Sequence, residues 1–482
     1  MKVAFACSEC FPYVKTGGLG DVCGSLPKSL FDLGCEIKVF LPLYGGINTS
    51  NHKLSLSDEL RDIPVMIGNS THTFNVWTGK LPNSDVDVYL IDNPHYFHRE
   101  LPYTNDRDED ERFILFQQAM LITIQYLKWS PDIIHCNDWQ TSLIPAYLKT
   151  TFAWDKLFES TKSVLSIHNI GYQGRFSPES IYNSNLPVEY FYPYSPFELD
   201  NSFCFLKAGV VYSDIITTVS PTYSEEIQTE EFGAGLEGVL KSRSGDLYGI
   251  LNGIDLDVWN PLTDHYIKTH YSIDNLEDKE ENKKNLINRI EFKYNEDTPV
   301  FGIISRLTGQ KGFDLLKPIL HHLLENNDIQ LIVLGSGETQ YEELFRSAQY
   351  AFPDKLFFWS GYNTELSHLI TAGSDIFLMP SHYEPCGLNQ MYSLNYGTVP
   401  IVRKTGGLAD TVKDYHEFDE KGNGFSFKDY LPDALEKTIH RALYMFKDKK
   451  IWKDIMIRGM KEDFSWKISA EKYLDLYNKL IS

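Results

Sequence analysis

The chain has 482 residues, 42% hydrophobic and 23% charged, so it can bury large cores without disulfide or metal staples and is too apolar to be disordered throughout. Lys and Arg number 45 against 66 Asp and Glu, which gives a formal net charge of −21. This balance argues against a surface built mainly to hold nucleic acid or anionic lipid. Any anionic ligand must therefore be met by a few well-placed cations.

The sequence shows neither a membrane span nor a signal peptide. No stretch approaches about eighteen consecutive apolar residues, and Met1 leads directly into a strand-like run. We expect a cytoplasmic protein, or a stromal one in a plastid if a transit peptide has been removed. The seven cysteines are scattered through apolar surroundings, which favours a reducing compartment. Cys7 and Cys10 form a lone CxxC without a second pair nearby, so we interpret them as structural.

Short runs of Val, Ile, Leu and Phe alternate along the chain with longer mixed segments, as in buried parallel strands joined by helices. The first series of runs lies at 2–7, 37–41, 87–91, 132–135, 163–167 and 214–219. The second lies at 299–304, 329–334, 356–359, 375–379 and 399–402. The fold class is therefore α/β with two doubly wound domains, although length alone would allow about three folding units.

Two further segments predict helices. The charged stretch 274–297 carries Leu276, Leu286 and Ile290 in one stripe, so we expect the opening helix of the second domain there. The segment 465–482 has apolar residues at near-helical spacing and predicts an amphipathic helix that docks on the first domain. The predicted domains are 1–250 with helix 465–482, and 251–464.

One seven-residue pattern occurs twice. Lys15-Thr-Gly-Gly-Leu-Gly-Asp21 and Lys404-Thr-Gly-Gly-Leu-Ala-Asp410 agree at six of seven positions. Each follows a predicted strand and opens a helix. Paired glycines let a backbone approach a ligand closely, and a helix N-terminus presents unpaired N–H groups to an anion. Because one copy occurs in each predicted domain, we interpret the two copies as one anion site per domain and not as two ordinary turns.

Five motifs together carry a family resemblance. They are Lys15-Thr-Gly-Gly-Leu, His168-Asn-Ile-Gly-Tyr-Gln-Gly, Ser305-Arg-Leu-Thr-Gly-Gln-Lys-Gly, Pro380-Ser-His-Tyr-Glu-Pro-Cys-Gly-Leu and Lys404-Thr-Gly-Gly-Leu. Their order and spacing resemble those of bacterial glycogen synthases and plant-type starch synthases. The resemblance implies a GT-B fold, with two Rossmann-like domains facing each other across a deep cleft. It implies retaining transfer of glucose from ADP-glucose to the non-reducing end of an α-1,4-glucan, with release of ADP.

The cations expected at the donor follow from the chemistry. Breaking the bond from sugar C1 to a diphosphate leaves negative charge on the phosphate. Arg306 and Lys311 lie five residues apart in the turn after strand 299–304, so both can serve there, as the resemblance also implies. Lys15 would add a third cation from the first domain, with Asp21 either orienting it or meeting the acceptor.

Glu384 follows a predicted strand, in a turn that Pro385 and Gly387 can shape. It could hold sugar hydroxyls or offset positive charge at C1. Many related retaining transferases carry a second Glu eight residues on, but position 392 is Tyr here, as in glycogen and starch synthases. This difference favours the narrower family and weakens a mechanism with two carboxylates.

The resemblance implies further contacts. His168 would lie beside the transferred glucose as a neutral imidazole. Asp138 either contacts the acceptor or caps the next helix, and Asn252, in the expected interdomain crossover, would contact the donor. Tyr362 is the candidate for stacking on adenine. The remaining expected substrate contacts are Gly17, Gly18, Cys386, Gly387, Leu388, Thr405, Gly406 and Gly407.

No metal or other cofactor is expected, because the 14 His form no metal-binding motif and no DxD sequence follows a strand. The expected partners are ADP-glucose and the glucan, without nucleic acid or membrane. Three alternatives stay open. They are a transferase using UDP-glucose, a non-catalytic glucan-binding partner, and a hydrolase or phosphorylase with Asp138 and Glu384 as its carboxylate pair.

Overall fold

The computed structural model describes residues 1–104 and 106–482. They divide into two compact units, Met1–Gly253 with Trp466–Ser482, and Ile254–Ser465. The first break falls after residue 253 where 250 was predicted, and the second before residue 466 where 465 was predicted.

The first unit contains a mixed sheet with ten strands among the described residues. All six strands predicted for this unit are present within two residues of their expected bounds, and they run parallel. Val3–Ala6 is fully buried, as expected for a strand covered on both faces. In spatial order the strands are Leu247–Gly249, Ile215–Thr218, Lys162–Ile167, Ile133–Asn137, Lys2–Ala6, Glu36–Pro42, Asp87–Asp92, Ser70–Lys80 and Ser55–Leu56, with Ile63–Ile67 paired to Ser70–Lys80.

The antiparallel edge of this sheet was not predicted from the sequence. Ile63–Ile67 alternates buried and exposed residues, so half of the strand faces water. An alternating strand lacks the continuous apolar run by which the parallel strands were recognised. Short strands of a separate sheet were also missed, at Arg175–Phe176, Glu198–Leu199 and Ser202–Cys204.

The second unit contains a parallel sheet with six strands among the described residues. The five predicted strands are present, and Phe425–Phe427 adds an edge strand. The strand order is that of a Rossmann fold, in which the chain builds one half of the sheet and returns to the centre to build the other. In spatial order the strands are Leu356–Ser360, Gln330–Gly335, Val300–Ile304, Ile376–Met379, Val399–Arg403 and Phe425–Phe427.

Helices connect the strands in both units. The first unit contains Gly18–Asp32, Pro94–Phe97, Glu109–Tyr126, Ile144–Lys149, Ser180–Ser184, Phe205–Tyr212, Pro221–Glu226, Glu237–Ser242 and Trp466–Ile481. The second contains Lys279–Arg289, Phe313–Leu316, Leu320–Asn326, Thr339–Ala351, Thr364–Gly373, Asn389–Asn395, Gly406–Thr411, Pro432–Phe446 and Lys449–Met460. None of the described helices is long and apolar enough to span a membrane.

Both separately predicted helices are present. Lys279–Arg289, preceded by a 3₁₀ segment, opens the second unit and packs against Thr364–Gly373. The final helix, Trp466–Ile481, packs against Gly18–Asp32 of the first unit. Its buried residues Trp466, Ala470, Tyr473 and Tyr477 recur every three or four positions, which places them on one face.

All seven cysteines are buried, and none forms a disulfide within the described part of the chain. Burial raises the pKa of the Cys7 thiol well above its ordinary value. The hydrogen bond with Cys7, together with burial, raises the pKa of Cys10 in the same way. Both groups therefore remain protonated thiols near neutral pH, which supports their structural interpretation.

Candidate active site

The central strand of each sheet marks the point where the strand order reverses. Lys2–Ala6 lies between Glu36–Pro42 and Ile133–Asn137 in the first unit. Val300–Ile304 lies between Gln330–Gly335 and Ile376–Met379 in the second. Open α/β sheets bind ligands outside the carboxyl ends of their strands at this reversal point. Most of the predicted site residues follow these strands.

A buried carboxylate that the sequence analysis missed holds the loop after Lys2–Ala6. Glu9 accepts hydrogen bonds from the backbone N–H groups of Thr16, at 2.5 Å, and Gly17, at 3.1 Å. The hydroxyls of Thr16 and Tyr103 donate to its other oxygen at 2.6 and 2.7 Å. Two of the N–H groups expected to face an anion are therefore already bound by the protein. Only the position of Glu9 after a central strand could have pointed to this role.

The same loop presents a cation and an unexplained glycine. Lys15 Nζ lies 2.7 Å from Asp21 Oδ1, and both side chains are partly exposed. Gly17 is extended, with φ −157°, and a Cβ added there would meet no described atom within 4 Å. Neither its backbone nor packing within the described chain requires glycine at this position. The close approach of a ligand would require it. Gly18 begins the helix behind the loop.

Asp138 and His168 meet where Ile133–Asn137 and Lys162–Ile167 end. The backbone N–H of His168 donates to Asp138 Oδ1 at 2.7 Å, and the His168 ring bonds the Asn137 side chain at 2.8 Å. Burial raises the pKa of Asp138 to about 7, and the charge of Glu9 acts in the same direction. Burial lowers the pKa of His168 to about 3, so its imidazole is neutral at physiological pH.

Asn252 lies in the first unit, just before the chain enters the second. Its side chain is buried, and its Oδ1 atom has no hydrogen-bond partner among the described residues. A buried acceptor without a partner is unfavourable unless a ligand or water supplies the donor. The substrate contact predicted for this residue would supply such a donor.

The second unit brings Lys311 and Glu384 together. Lys311 Nζ lies 2.7 Å from Glu384 Oε2, which also accepts a hydrogen bond from the Ser381 hydroxyl at 3.0 Å. Glu384 is buried, whereas the nearby Arg306 is exposed and has no ion pair within the described part of the chain. The site thus presents one paired cation, Lys311, and one exposed cation, Arg306, after Val300–Ile304.

The second glycine pair lies against the loop that carries Glu384. A Cβ on Gly406 would come within 2.0 Å of the Glu384 carbonyl oxygen, and one on Gly407 within 2.1 Å of the Cys386 carbonyl oxygen. The Gly407 N–H already bonds the carbonyls of Glu384 and Pro385. Packing therefore explains this pair, and the Gly407 N–H is not free for an anion as the repeated pattern suggested.

The neighbouring predicted residues shape the same loop. Gly387 has φ 72°, a left-handed conformation that favours glycine. Gln390, which the sequence analysis missed, donates to the carbonyls of Cys386 and Gly387 at 3.0 Å. Leu388 immediately precedes helix Asn389–Asn395, and Thr405 precedes helix Gly406–Thr411.

Tyr362 lies apart from this cluster. It follows the edge strand Leu356–Ser360, two strands away from Val300–Ile304, and its side chain is 76% exposed. A ring with this exposure is accessible to a planar base. The described residues contain no group of three or more His, Cys, Asp or Glu that could hold a metal ion.

Comparison with solved structures defines the class of protein. The catalytic domain of starch synthase IV from Arabidopsis thaliana, bound to ADP and acarbose, matches with a TM-score of 0.91 at 33% identity, covering 100% of this chain and 99% of that one. Sucrose-phosphate synthase from Thermosynechococcus elongatus shares the fold, with a TM-score of 0.59 at 16% identity and coverage of 99% and 98%. The protein is a two-domain glycosyltransferase of the GT-B fold.

Sequence comparison narrows the class. The family described as starch synthase catalytic domain matches residues 2–242, and glycosyl transferases group 1 matches residues 285–454. Glycogen synthase from Thermotoga maritima is 45% identical over 100% of this chain and 99% of its own length. Glycogen synthase from Clostridium novyi is 43% identical with the same coverage. The chain belongs to the glycogen and starch synthase family of hexosyltransferases.

Proposed function

We propose that the chain transfers glucose from ADP-glucose to the non-reducing end of an α-1,4-glucan, with retained configuration at C1 and release of ADP. The observation that carries this proposal is the Lys311–Glu384 pair with Arg306 nearby, at the reversal point of a Rossmann-type sheet. The similarity to a starch synthase domain bound to ADP and acarbose supports the choice of nucleotide.

The donor site has to stabilise a departing diphosphate. Glu384 holds the Lys311 ammonium in place before the donor binds, so little reorganisation is needed as charge develops. Arg306 is free to turn toward the phosphates and can bind two oxygens at once. Because Glu384 is engaged by Lys311 and Ser381, we assign it to positioning the cation rather than to nucleophilic attack.

The first unit would hold the sugar and the acceptor. The neutral His168 ring bonds Asn137 with one nitrogen, which leaves the other for a sugar hydroxyl. Asp138 fixes the His168 backbone, and the buried Asn252 oxygen would accept a hydrogen bond from the donor. Gly17 leaves room for the ligand, and Lys15 supplies a further positive charge.

We also propose that the reaction needs no metal ion, because Arg306, Lys311 and Lys15 supply the positive charge that the diphosphate requires. Under this proposal, transfer continues in excess EDTA. An EDTA-sensitive reaction restored by Mg²⁺ would contradict it.

The experiment measures transfer of labelled glucose to a glycogen primer from ADP-glucose and UDP-glucose in parallel, with EDTA present. We expect transfer from ADP-glucose, and about 10²- to 10³-fold slower turnover for Arg306→Ala, as for a lost transition-state donor. Arg289→Ala is the matched control, because Arg289 is an exposed arginine of the same unit that pairs with Glu365. Transfer from UDP-glucose alone would identify the alternative donor, and transfer from neither would favour a glucan-binding partner.

A further inference from the structure

Trp259 lies between two other rings. Its centroid is 3.8 Å from that of His368, with the planes 5° apart, and 4.1 Å from that of Tyr392, with the planes 8° apart. Both faces of the indole are thus covered by aromatic rings. We call these three side chains the Trp259 stack. All three belong to the second unit.

The outer rings belong to the helices that follow two predicted ligand loops. His368 lies in helix Thr364–Gly373, which begins two residues after Tyr362. Tyr392 lies in helix Asn389–Asn395, which begins five residues after Glu384. Because a helix moves as a rigid element, the position of each helix fixes the root of the loop before it. The stack therefore connects the loop expected to contact the base with the loop that holds Lys311.

Hydrogen bonds fix the stack in place. The Asn395 side chain donates to the Trp259 carbonyl at 2.8 Å. Asp264, fully buried, bonds His368 Nδ1 at 2.7 Å and accepts from the Tyr396 hydroxyl at 2.7 Å. Residues 259–264 therefore contact helix Thr364–Gly373 and the C-terminal end of helix Asn389–Asn395 through ring contacts and hydrogen bonds, two of them to the Asp264 carboxylate.

The stack also accounts for Tyr392. This residue stands eight positions after Glu384. Here the side chain is buried against the indole of Trp259. Its ring therefore helps to hold helix Asn389–Asn395, and the position supplies no second acidic group.

We propose that Trp259 is a positioning residue, which sets the spacing of the Tyr362 and Glu384 loops and thereby the affinity for the nucleotide. The proposal rests on the proposed function, because it assigns both loops to one nucleotide sugar. General loss of packing would lower the fraction of folded enzyme, and hence kcat, without changing KM. A change in loop spacing raises KM and Kd for the nucleotide in the molecules that remain folded.

The test compares Trp259→Leu, Trp259→Phe and Trp452→Leu in the full chain. Trp452 is the matched control, since it is buried in the same unit and stacks on Phe425 of the opposite edge strand. Calorimetric titration measures the Kd of ADP, thermal unfolding measures Tm, and initial rates give KM and kcat for ADP-glucose. We expect Trp259→Leu to weaken ADP binding about tenfold or more, as for displaced positioning groups, and Trp259→Phe to restore most of it.

Trp452→Leu should lower Tm about as much as Trp259→Leu does. It should leave the Kd of ADP within about twofold of wild type. A folded Trp259→Leu protein that binds ADP as wild type does would overturn the inference alone. Equal weakening by both Leu variants would also overturn it, because the effect would then be general. A wild-type chain that binds neither ADP nor UDP would overturn the proposed function first, and the inference with it.

Discussion

Asp138 combines backbone strain with a buried carboxyl group. Its φ of 55° and ψ of −173° lie in a region that residues with side chains rarely adopt. Such strain persists only where the surrounding structure enforces it, and it is common at functional sites. The bond from the His168 N–H to Asp138 Oδ1 is one such constraint. Asp138 follows Ile133–Asn137, the strand beside Lys2–Ala6. The strained residue thus lies at the reversal point of the first sheet, where a ligand site is expected.

The titration of Asp138 gives a prediction for stability. Its pKa is about 7 in the folded chain and near 3.8 when unfolded, so the folded state binds more protons between these values. The contribution of this carboxyl to stability is full below about pH 4 and is lost as pH rises through 7. We expect wild type to lose stability relative to Asp138→Asn between pH 4 and 7. Urea unfolding of both proteins across this range measures the difference.

Asp214→Asn is the control for this experiment. Burial acts to raise the pKa of Asp214, but hydrogen bonds from Ser163 hold it below its ordinary value. Its contribution is therefore lost only as pH falls below about 4, and its difference from wild type should stay flat from pH 4 to 7. A constant difference for Asp138→Asn over the same range would contradict the raised pKa of Asp138.

At the scale of residues, a site residue is hard to predict from the sequence when its role depends on contacts with backbone groups that only the fold brings close. The motifs identified Lys311 and Glu384, and the structure joins them, because each follows one of two adjacent strands. Glu9 escaped prediction, because its importance depends on N–H groups whose direction is set by the folded loop. No sequence motif around Glu9 indicates that geometry.

At the scale of elements, the repeated seven-residue pattern shows that equal sequence does not mean equal role. Gly406 has φ 43° and no room for a Cβ, whereas Gly17 is extended with open space around it. The second copy needs glycine to fold beside the Glu384 loop. Gly17 of the first copy has no such need within the described chain, and we infer that a ligand fills the space beside it.

Substituting alanine separates these roles. Gly406→Ala should lower the free energy of unfolding by about 1–3 kcal/mol or more, because the Cβ meets the Glu384 carbonyl and the backbone is left-handed. Gly17→Ala should change it by less than about 0.5 kcal/mol, yet slow glucose transfer about 10²-fold. Urea unfolding and the primer assay measure both effects. If Gly17→Ala proves the less stable variant, the contrast is wrong.

Burial pattern determines which elements the sequence could predict. Strands buried on both faces, such as Val300–Ile304, leave an unbroken apolar run, and all of those predicted are present. Ile63–Ile67 and Ser70–Lys80 face water on one side, so their apolar residues are interrupted and the pair was missed. Helix Trp466–Ile481 was predicted because its apolar residues recur at helical spacing and form one clear stripe.

At the scale of the whole molecule, the final helix completes the first unit by a buried polar contact. The Tyr477 hydroxyl lies 2.5 Å from Nδ1 of His135, in a central strand, and His135 Nε2 bonds Ser166 at 2.6 Å. Burial lowers the pKa of His135 to about 3, so the ring is neutral. Both ring nitrogens therefore have partners in the core.

Removing the Tyr477 hydroxyl leaves one of these nitrogens unpaired. We expect Tyr477→Phe to lower the free energy of unfolding by about 1–3 kcal/mol, the usual cost of a buried polar group without a partner. Urea denaturation measures the loss. Tyr444→Phe is the control, because that side chain is 73% exposed, and it should be neutral. Equal values for the two variants would show that the contact adds nothing to stability.

The chain order of the two units has a consequence for biosynthesis. Ile254–Ser465 is one continuous stretch, whereas the first unit needs both Met1–Gly253 and Trp466–Ser482. On the ribosome, the second unit can therefore close before the first is finished. Until the last helix emerges, Gly18–Asp32 and His135 lack their cover, and the nascent chain exposes an apolar surface there. Premature termination before residue 466 would release a chain with this surface uncovered, a natural target for chaperones and proteases.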